Sequence, residues 1–103
     1  NVFTLHVLSA SRKLVSQAVK KHFNAKRIRF ASKEELMELT GLMPGSVPPF
    51  GRPIVDLDLF VDTSILQNQK IAFNAGSLTD SIIMKTEDYI EIAKPEIYTF
   101  SIE

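Results

Sequence analysis

The residues able to do chemistry in this 103-residue chain are few. Asp56, Asp58 and Asp62 are three aspartates close together in sequence. Alternation puts Asp56 and Asp58 on one strand face, a pattern compatible with a hard cation. No glycine turn or further ligand accompanies them, so a solvated strand face is the expected reading. His6 and His22 are the two imidazoles, isolated in sequence, each expected as a surface or half-buried polar residue. With no cysteine there is no thiolate nucleophile, disulfide or cysteine zinc site. No serine stands in a nucleophile elbow. Gly41, Gly45 and Gly51 lack the spacing of a phosphate-binding loop. What remains is backbone. In the run GLMPGSVPPFG, Gly41 to Gly51, prolines fix the path and glycines permit close approach. The amides of Gly45 and Ser46 could then face a carbonyl or a developing oxyanion. Asn74-Ala75-Gly76-Ser77 is a second stretch where backbone opens at a strand end. Two such loops facing each other would enclose a pocket. The competing reading of the proline loop is a rigid connector.

These loops need elements to hold them. Val2 to Leu8 alternates, with Phe3, Leu5 and Val7 on one face, and predicts a strand. Ser11 is a candidate N-cap for a helix from Arg12 to Phe23, with Leu14, Val15, Ala18, Val19 and Phe23 at helical spacing. Arg27 to Phe30 alternates and predicts a short strand. Ser32-Lys33-Glu34-Glu35 is a capping box, opening a helix that runs to Thr40 and stops at Gly41. The density of proline and glycine from Gly41 to Pro53 predicts an ordered loop. Ile54 to Asp62, Lys70 to Ala75 and Ser81 to Lys85 predict strands, with a turn over Thr63 to Gln69. Thr86 is a candidate cap for a helix with Glu87 and Asp88 in its first turn, ended by Pro95. Glu96 to Ile102 predicts a closing strand. Consecutive strands in the second half favour a single α+β domain over residues 1–103, with a mixed or largely antiparallel sheet.

Composition places limits on function. Hydrophobic residues make up 45% and charged residues 23%, which excludes a disordered chain. No apolar run approaches the ~18 residues that a membrane helix requires. No secretory leader is legible, and a cytoplasmic location is expected. The chain opens on Asn rather than Met, and an upstream segment is expected. Net charge is zero, but the charges are segregated. Residues 1–53 hold nine bases and three acids, a net +6, and the remainder is −6. Between Arg12 and Arg29 there are seven bases and no acid. Folded onto one face, that block is a footprint for a polyanion. A solvated face paired with the acidic half is the competing reading.

Thr40 to Gly51, TGLMPGSVPPFG, resembles the signature loop of the YbaK/prolyl-tRNA-synthetase-associated domain family. Phe73-Asn74-Ala75-Gly76-Ser77, followed by Ser81 to Met84, is similar to that family's second signature. The Val61-Asp62 strand end and the segment Ala25 to Ser32 fit as well, so the resemblance spans roughly Val2 to Phe100. It implies a small α+β domain with a mixed, barrel-like sheet flanked by helices. It also implies an aminoacyl-tRNA deacylase without metal or cofactor, several members acting on tRNA for proline carrying alanine or cysteine. Gly45 and Pro49 correspond to the ends of the family's Gly-x-x-x-Pro loop, and Gly76 to a glycine whose amide contacts the reacting ester. The tRNA's own terminal hydroxyl and a positioned water are implied as the reactive groups. Two departures stand out. The family's functional lysine lies on a strand upstream of Val2 to Leu8, and no lysine here takes that role. The histidine that often follows the second-loop glycine is replaced by Ser77-Leu78-Thr79.

The functional expectation is hydrolysis of the ester of a mischarged tRNA. Gly76, Gly45 and Asn74 are assigned to the reacting ester, with Gly45, Ser46 and Gly76 as backbone donors and Asn74 orienting substrate or water. Ser46, Val47, Pro48, Pro49, Phe50 and Ser77 are assigned to the aminoacyl pocket. Lys13, Lys20, Lys21, Lys26, Arg27 and Arg29 are assigned to tRNA phosphates. An aminoacyl-tRNA synthetase is a possible partner. The alternatives are a non-catalytic module that binds tRNA or a synthetase, and an interaction domain in which the proline loop docks a protein.

Overall fold

The computed structural model describes residues 3–103. The expected strand Val2 to Leu8 narrows to β1 (Thr4–Val7), with Val2 outside the described residues. The elements that follow are β2 (Lys13–Leu14), α1 (Ser16–Phe23), α2 (Lys33–Thr40), β3 (Asp58–Asp62) and a 3-10 turn (Thr63–Gln67). β4 (Lys70–Asn74), β5 (Ser81–Lys85), α3 (Thr86–Ala93), β6 (Glu96–Tyr98) and β7 (Ser101–Ile102) complete the chain. This is an α+β architecture with mixed strand pairing. The pairing divides into three ladders: a parallel sheet in the order β1-β3-β6, and the antiparallel pairs β2-β7 and β4-β5.

The parallel sheet separates two layers, because its side chains alternate between its faces. Leu5 lies beside Leu59, Val7 beside Val61, and Val61 beside Ile97. That face packs on Ile65, Ile71, Met84, Tyr89 and Phe50, so the β4-β5 hairpin, α3 and the proline loop cover it. The opposite face carries His6, Phe60 and Tyr98, covered by α1 through Val19, His22 and Phe23. The two histidines thus meet in one aromatic cluster. His6 lies parallel to Phe60 at 5.0 Å and bonds the Tyr98 hydroxyl at 3.0 Å. His22 stacks on Tyr98 at 3.9 Å and reaches Glu96 at 2.6 Å. Burial, then the neighbouring His22, pushes His6 below the usual histidine range.

Tertiary pairing overrides local pattern in several places. The Arg12 to Phe23 helix is corrected: Lys13 and Leu14 pair with Ile102 and Ser101, so α1 starts at Ser16 with Val15, not Ser11, at its cap. The Val15 amide is held by the Phe100 carbonyl at 2.7 Å. Arg27 to Phe30 is not a strand. Ile28 packs against the α1 layer, while Arg29 turns to Glu35 at 2.6 and 2.8 Å. Ile54 to Leu57 is turned rather than extended, its amides at Ile54 and Val55 bonding the Gly51 carbonyl. Arg52 pairs with both Asp56 and Asp58 beneath that turn. Gly51 is required there: a Cβ would stand 2.9 Å from the Leu57 carbonyl oxygen. Thr86 is not a cap. It is the first residue of α3, with Lys85 at the cap position and its own hydroxyl buried without a partner. The closing strand breaks into β6 and β7 around Thr99 and Phe100. The capping box of α2 forms as expected. Ser32 accepts from the Glu35 amide at 3.1 Å, Glu35 from the Ser32 amide at 2.9 Å, and Gly41 closes the helix at φ +72°.

Asp62 explains the broken strand. It is fully buried, not on a solvated face. One carboxylate oxygen accepts from the Phe100 amide at 2.6 Å, the other from the Ser101 hydroxyl at 2.6 Å and the Ser64 amide at 3.0 Å. Arg12 reinforces the same corner, donating to the Ser101 hydroxyl and carbonyl at 3.1 and 3.2 Å. Burial works to raise the Asp62 pKa. The hydrogen bonds from Ser101, Ser64 and Phe100 outweigh it and hold the group at about 2. A carboxylate lowered in this way stabilises the fold fully above its unfolded value near 4. That contribution, about 2 kcal/mol, is lost as pH falls through the folded value near 2. Urea unfolding of the native protein and of Asp62→Asn between pH 2 and 7 checks this. The stability gap between them is expected to be widest above pH 5 and to narrow below pH 4. A gap independent of pH would contradict it.

Candidate active site

The two loops singled out by their glycines do meet. The Gly76 amide donates to the Ser46 carbonyl at 2.9 Å, and the Asn74 side-chain amide to the Gly45 carbonyl at 2.7 Å. Between them is a cavity of about 320 Å³ lined by Gly41, Leu42, Met43 and Ser46 on one side and Gly76, Ser77, Leu78 and Thr79 on the other. Each loop is independently braced. Ser46 is buried, its amide and hydroxyl bonding the Met43 carbonyl at 3.1 and 2.7 Å. The Ser77 hydroxyl accepts from the amides of Thr79 and Asp80, both at 3.1 Å, and donates to the Asp80 carboxylate at 3.0 Å. The Ala75 amide closes the loop on the Asp80 carbonyl at 3.0 Å.

Three assigned roles change. The amides of Gly76 and Ser46 are not vacant donors, because each satisfies a carbonyl of the loops themselves. Asn74 is a strut between loops: its side chain donates to the Gly45 carbonyl and accepts from Ser81 at 3.3 Å. Pro48, Pro49 and Phe50 do not line the cavity, and neither does Val47. Pro48 and Pro49 are buried. The Tyr89 hydroxyl donates to the Pro49 carbonyl at 2.5 Å, and Phe50 sets its ring against Phe73 and Tyr89 at 5.5 and 5.4 Å. They anchor the loop so that Gly41 to Ser46 can stand open. Of the assigned residues, Ser46, Gly76 and Ser77 line the cavity, while Gly45 and Asn74 brace its rim. Gly41, Leu42, Met43, Leu78 and Thr79 complete the lining without having been assigned to the pocket, although all lie within the two glycine-bearing loops or just beyond them.

The chemistry of the lining is narrow. It contains no ionisable side chain. Among the described residues, the amides of Gly45, Ser77 and Leu78 have no intramolecular acceptor. Gly45 and Gly76 hold φ of +87° and +86°, the left-handed region that favours glycine. The aspartates are accounted for elsewhere, Asp56 and Asp58 by Arg52 and Asp62 by its buried donors. The basic block lies in the other layer. Lys20 and Lys21 belong to α1, across the parallel sheet from the hairpin and proline loop. Arg29 is committed to Glu35. Lys13, Lys21, Lys26 and Arg27 are exposed, Lys20 is half-buried, and none has a carboxylate partner among the described residues. Amide hydrogen exchange checks the site geometry. The Gly76 amide is expected to be protected and those of Ser77 and Leu78 to exchange fast, with Asn74→Ala raising Gly76 exchange about tenfold. An unprotected Gly76 amide in the native protein would refute the strut.

Residues 1–92 match the family model described as the aminoacyl-tRNA editing domain. Over 102 residues the chain is 38% identical to the multifunctional Ser/Thr-tRNA deacylase ProXp-y of Escherichia coli strain K12, an alignment covering 97% of this chain and 60% of that protein. The Escherichia coli O157:H7 protein of the same name matches equally. The chain therefore spans about 60% of the length of these curated relatives. In three dimensions it resembles a candidate trans-editing enzyme for prolyl tRNA synthetase, with a TM-score of 0.83 at 20% identity over 97% of this chain and 62% of that one. A scaffold protein used for computational epitope grafting gives a TM-score of 0.84 at 17% identity, covering 97% and 65%. These likenesses establish the fold. On the sequence match over nearly its whole length, the chain belongs to the aminoacyl-tRNA editing domain family.

Proposed function

We propose that this chain forms the aminoacyl pocket of a deacylase that hydrolyses the ester of a mischarged tRNA. Water adds to the ester carbonyl, the tRNA 3′-terminal oxygen leaves with a proton, and free amino acid and tRNA result. The observation that carries this reading is the cavity between the proline loop and the hairpin loop, whose lining has no ionisable side chain. Stabilisation of a developing oxyanion then falls to backbone donors, and the unpaired amides of Ser77 and Leu78 in the lining, with that of Gly45 at the rim, are assigned to that task. Proton transfer falls to the substrate's own terminal hydroxyl and water. Gly76 acts by setting the chain path, not by donating.

The proposed acyl groups are serine and threonine, ahead of alanine or cysteine on tRNA for proline. The relative at 38% identity is named for Ser/Thr-tRNA. The cavity is lined by Ser46, Ser77 and Thr79 beside Leu42, Met43 and Leu78; the Ser46 hydroxyl donates to Met43 and that of Ser77 to Asp80, so the Thr79 hydroxyl is the one assigned to a substrate hydroxyl. A site that bonds a substrate hydroxyl can reject an analogue lacking it far better than an apolar pocket can. Lys13, Lys20, Lys21, Lys26 and Arg27 are proposed to meet phosphates away from the acceptor end. Arg29 would join them only by leaving Glu35. A cytoplasmic location and a synthetase partner complete the proposal. The second reading, a binding module without catalysis, is favoured by the same lack of an ionisable side chain.

Deacylation of a panel of seryl-, threonyl-, alanyl- and cysteinyl-tRNAs by the protein in its full length decides between them. Selective release of serine or threonine is expected, and binding with no release would establish the second reading. In Gly76→Ala a Cβ meets nothing within 4 Å, but φ of +86° is strained for alanine. The variant is expected to fold, about 1 kcal/mol less stable, with kcat reduced about a hundredfold. Full activity in that variant would remove the site assignment.

A further inference from the structure

The β4-β5 hairpin has an outer face with no partner in the fold. Its inner residues Ile71 and Met84 pack on the core, while Phe73 meets Phe50. The outer residues form three cross-strand pairs, Lys70 with Lys85, Ala72 with Ile83 and Asn74 with Ser81. Like charges set directly opposite each other destabilise a ladder. Yet Lys70 and Lys85 face each other, both exposed, with no carboxylate partner among the described residues. Lys85 also stands at the cap of α3, where the helix end is itself positive. Glu87 and Asp88 in the first turn of α3 and Asp80 in the hairpin loop are the nearby acids in sequence, and none forms an ion pair with either lysine. Next along the face is Ile83, 70% exposed. At the far end Asn74 bonds the Gly45 carbonyl, so the face runs directly into the rim of the cavity.

Resting on the deacylase reading, we infer that this face is the track for the unpaired 3′ end of the RNA. The lysine pair holds its phosphates, Ala72 and Ile83 form an apolar platform for a base, and Asn74 with Gly45 marks where the terminal nucleotide enters the cavity. Four residues of strand separate the lysines from Asn74, about 13 Å. That is about four nucleotides at a rise of ~3.4 Å each, and an exposed apolar pair is a surface on which an unpaired base can stack. The charge conflict between the lysines is relieved when a phosphate lies between them. These residues lie on the same side of the parallel sheet as the cavity, whereas the basic block of α1 lies on the other.

The test uses Lys70→Glu, which replaces a repulsive pair with an attractive one and so leaves the fold at least as stable, and the double variant Lys70→Glu/Lys85→Glu. Two RNA stem-loops, one with an unpaired 3′ extension and one blunt, are the binding probes. The native protein is expected to prefer the extended RNA about tenfold, with a salt dependence whose log–log slope drops by about one in the double variant. That variant is expected to lose the preference. Equal binding of both RNAs by native protein, or a preference that survives the double substitution, would overturn the inference. Kinetics separate it from the deacylase reading. KM for seryl-tRNA is expected to rise about tenfold with kcat unchanged, while hydrolysis of seryl-adenosine 3′-ester stays as in the native protein. Loss on both substrates would overturn the track. A native protein that hydrolyses neither substrate would refute the deacylase and leave the RNA-binding comparison to decide the track.

Discussion

One buried carboxylate sets the architecture. Asp62 ends β3, and its oxygens collect donors from Phe100, Ser101 and Ser64. A buried charge is tolerated only when fully bonded, and here one local donor, Ser64, and two from the distant Phe100-Ser101 segment converge on it. The consequence is geometric. The chain after β6 must turn at Phe100 to present its amide, and that turn carries Ser101 and Ile102 away from the parallel sheet into a second ladder. Lys13 and Leu14 are drawn into this ladder, which fixes where α1 begins. The α1 layer, the aromatic cluster around Phe60 and the end of the parallel sheet all follow from that corner.

The other layer is organised by Tyr89. Its ring is fully buried among Val61, Leu59 and Ile65, and its hydroxyl bonds the Pro49 carbonyl. A buried tyrosine hydroxyl requires such a partner, and the partner is the loop that forms half of the site. Pro48, Pro49 and Gly51 are therefore buried against the core, while Gly41 and Met43 to Gly45 form an exposed rim. Pro48 and Pro49 bring no amide donor that burial would leave unsatisfied. Gly41 and Gly45 in the rim take the positive φ that turns the chain.

The site itself is built from main chain. Two loops brace each other through Gly76 to Ser46 and Asn74 to Gly45, leaving a concavity of small, apolar and hydroxyl-bearing residues. Rigid backbone donors need no reorganisation as charge develops, and they do not change protonation state with pH. On the proposed deacylase reading such a site leaves reactivity to the substrate, while charge lies outside the cavity, on the hairpin face and on α1.

Much of this was legible in the residues alone. The α2 capping box, the Gly41 stop, the strands β4 and β5 and the two glycine-bearing loops are local features, decided by residues a few positions apart along the chain. The family resemblance rested on those same loops. The strand starting at Ile54, the helix starting at Arg12 and the exposed aspartate at position 62 were read from equally sound local patterns and came out otherwise. In each case a partner remote in sequence competed for the same backbone. β7 took Lys13 and Leu14, Gly51 turned Ile54 and Val55, and Phe100 and Ser101 buried Asp62. Hydrogen-bond occupancy was likewise invisible in sequence: the Gly76 amide is taken by the Ser46 carbonyl, whereas those of Ser77 and Leu78 have no intramolecular acceptor among the described residues. Periodicity and capping are short-range, so sequence alone determined the elements and loops they govern. Which amide is vacant, which carboxylate is buried and which lysines face each other depend on contacts closed only when the chain returns on itself, and these the tertiary structure decided.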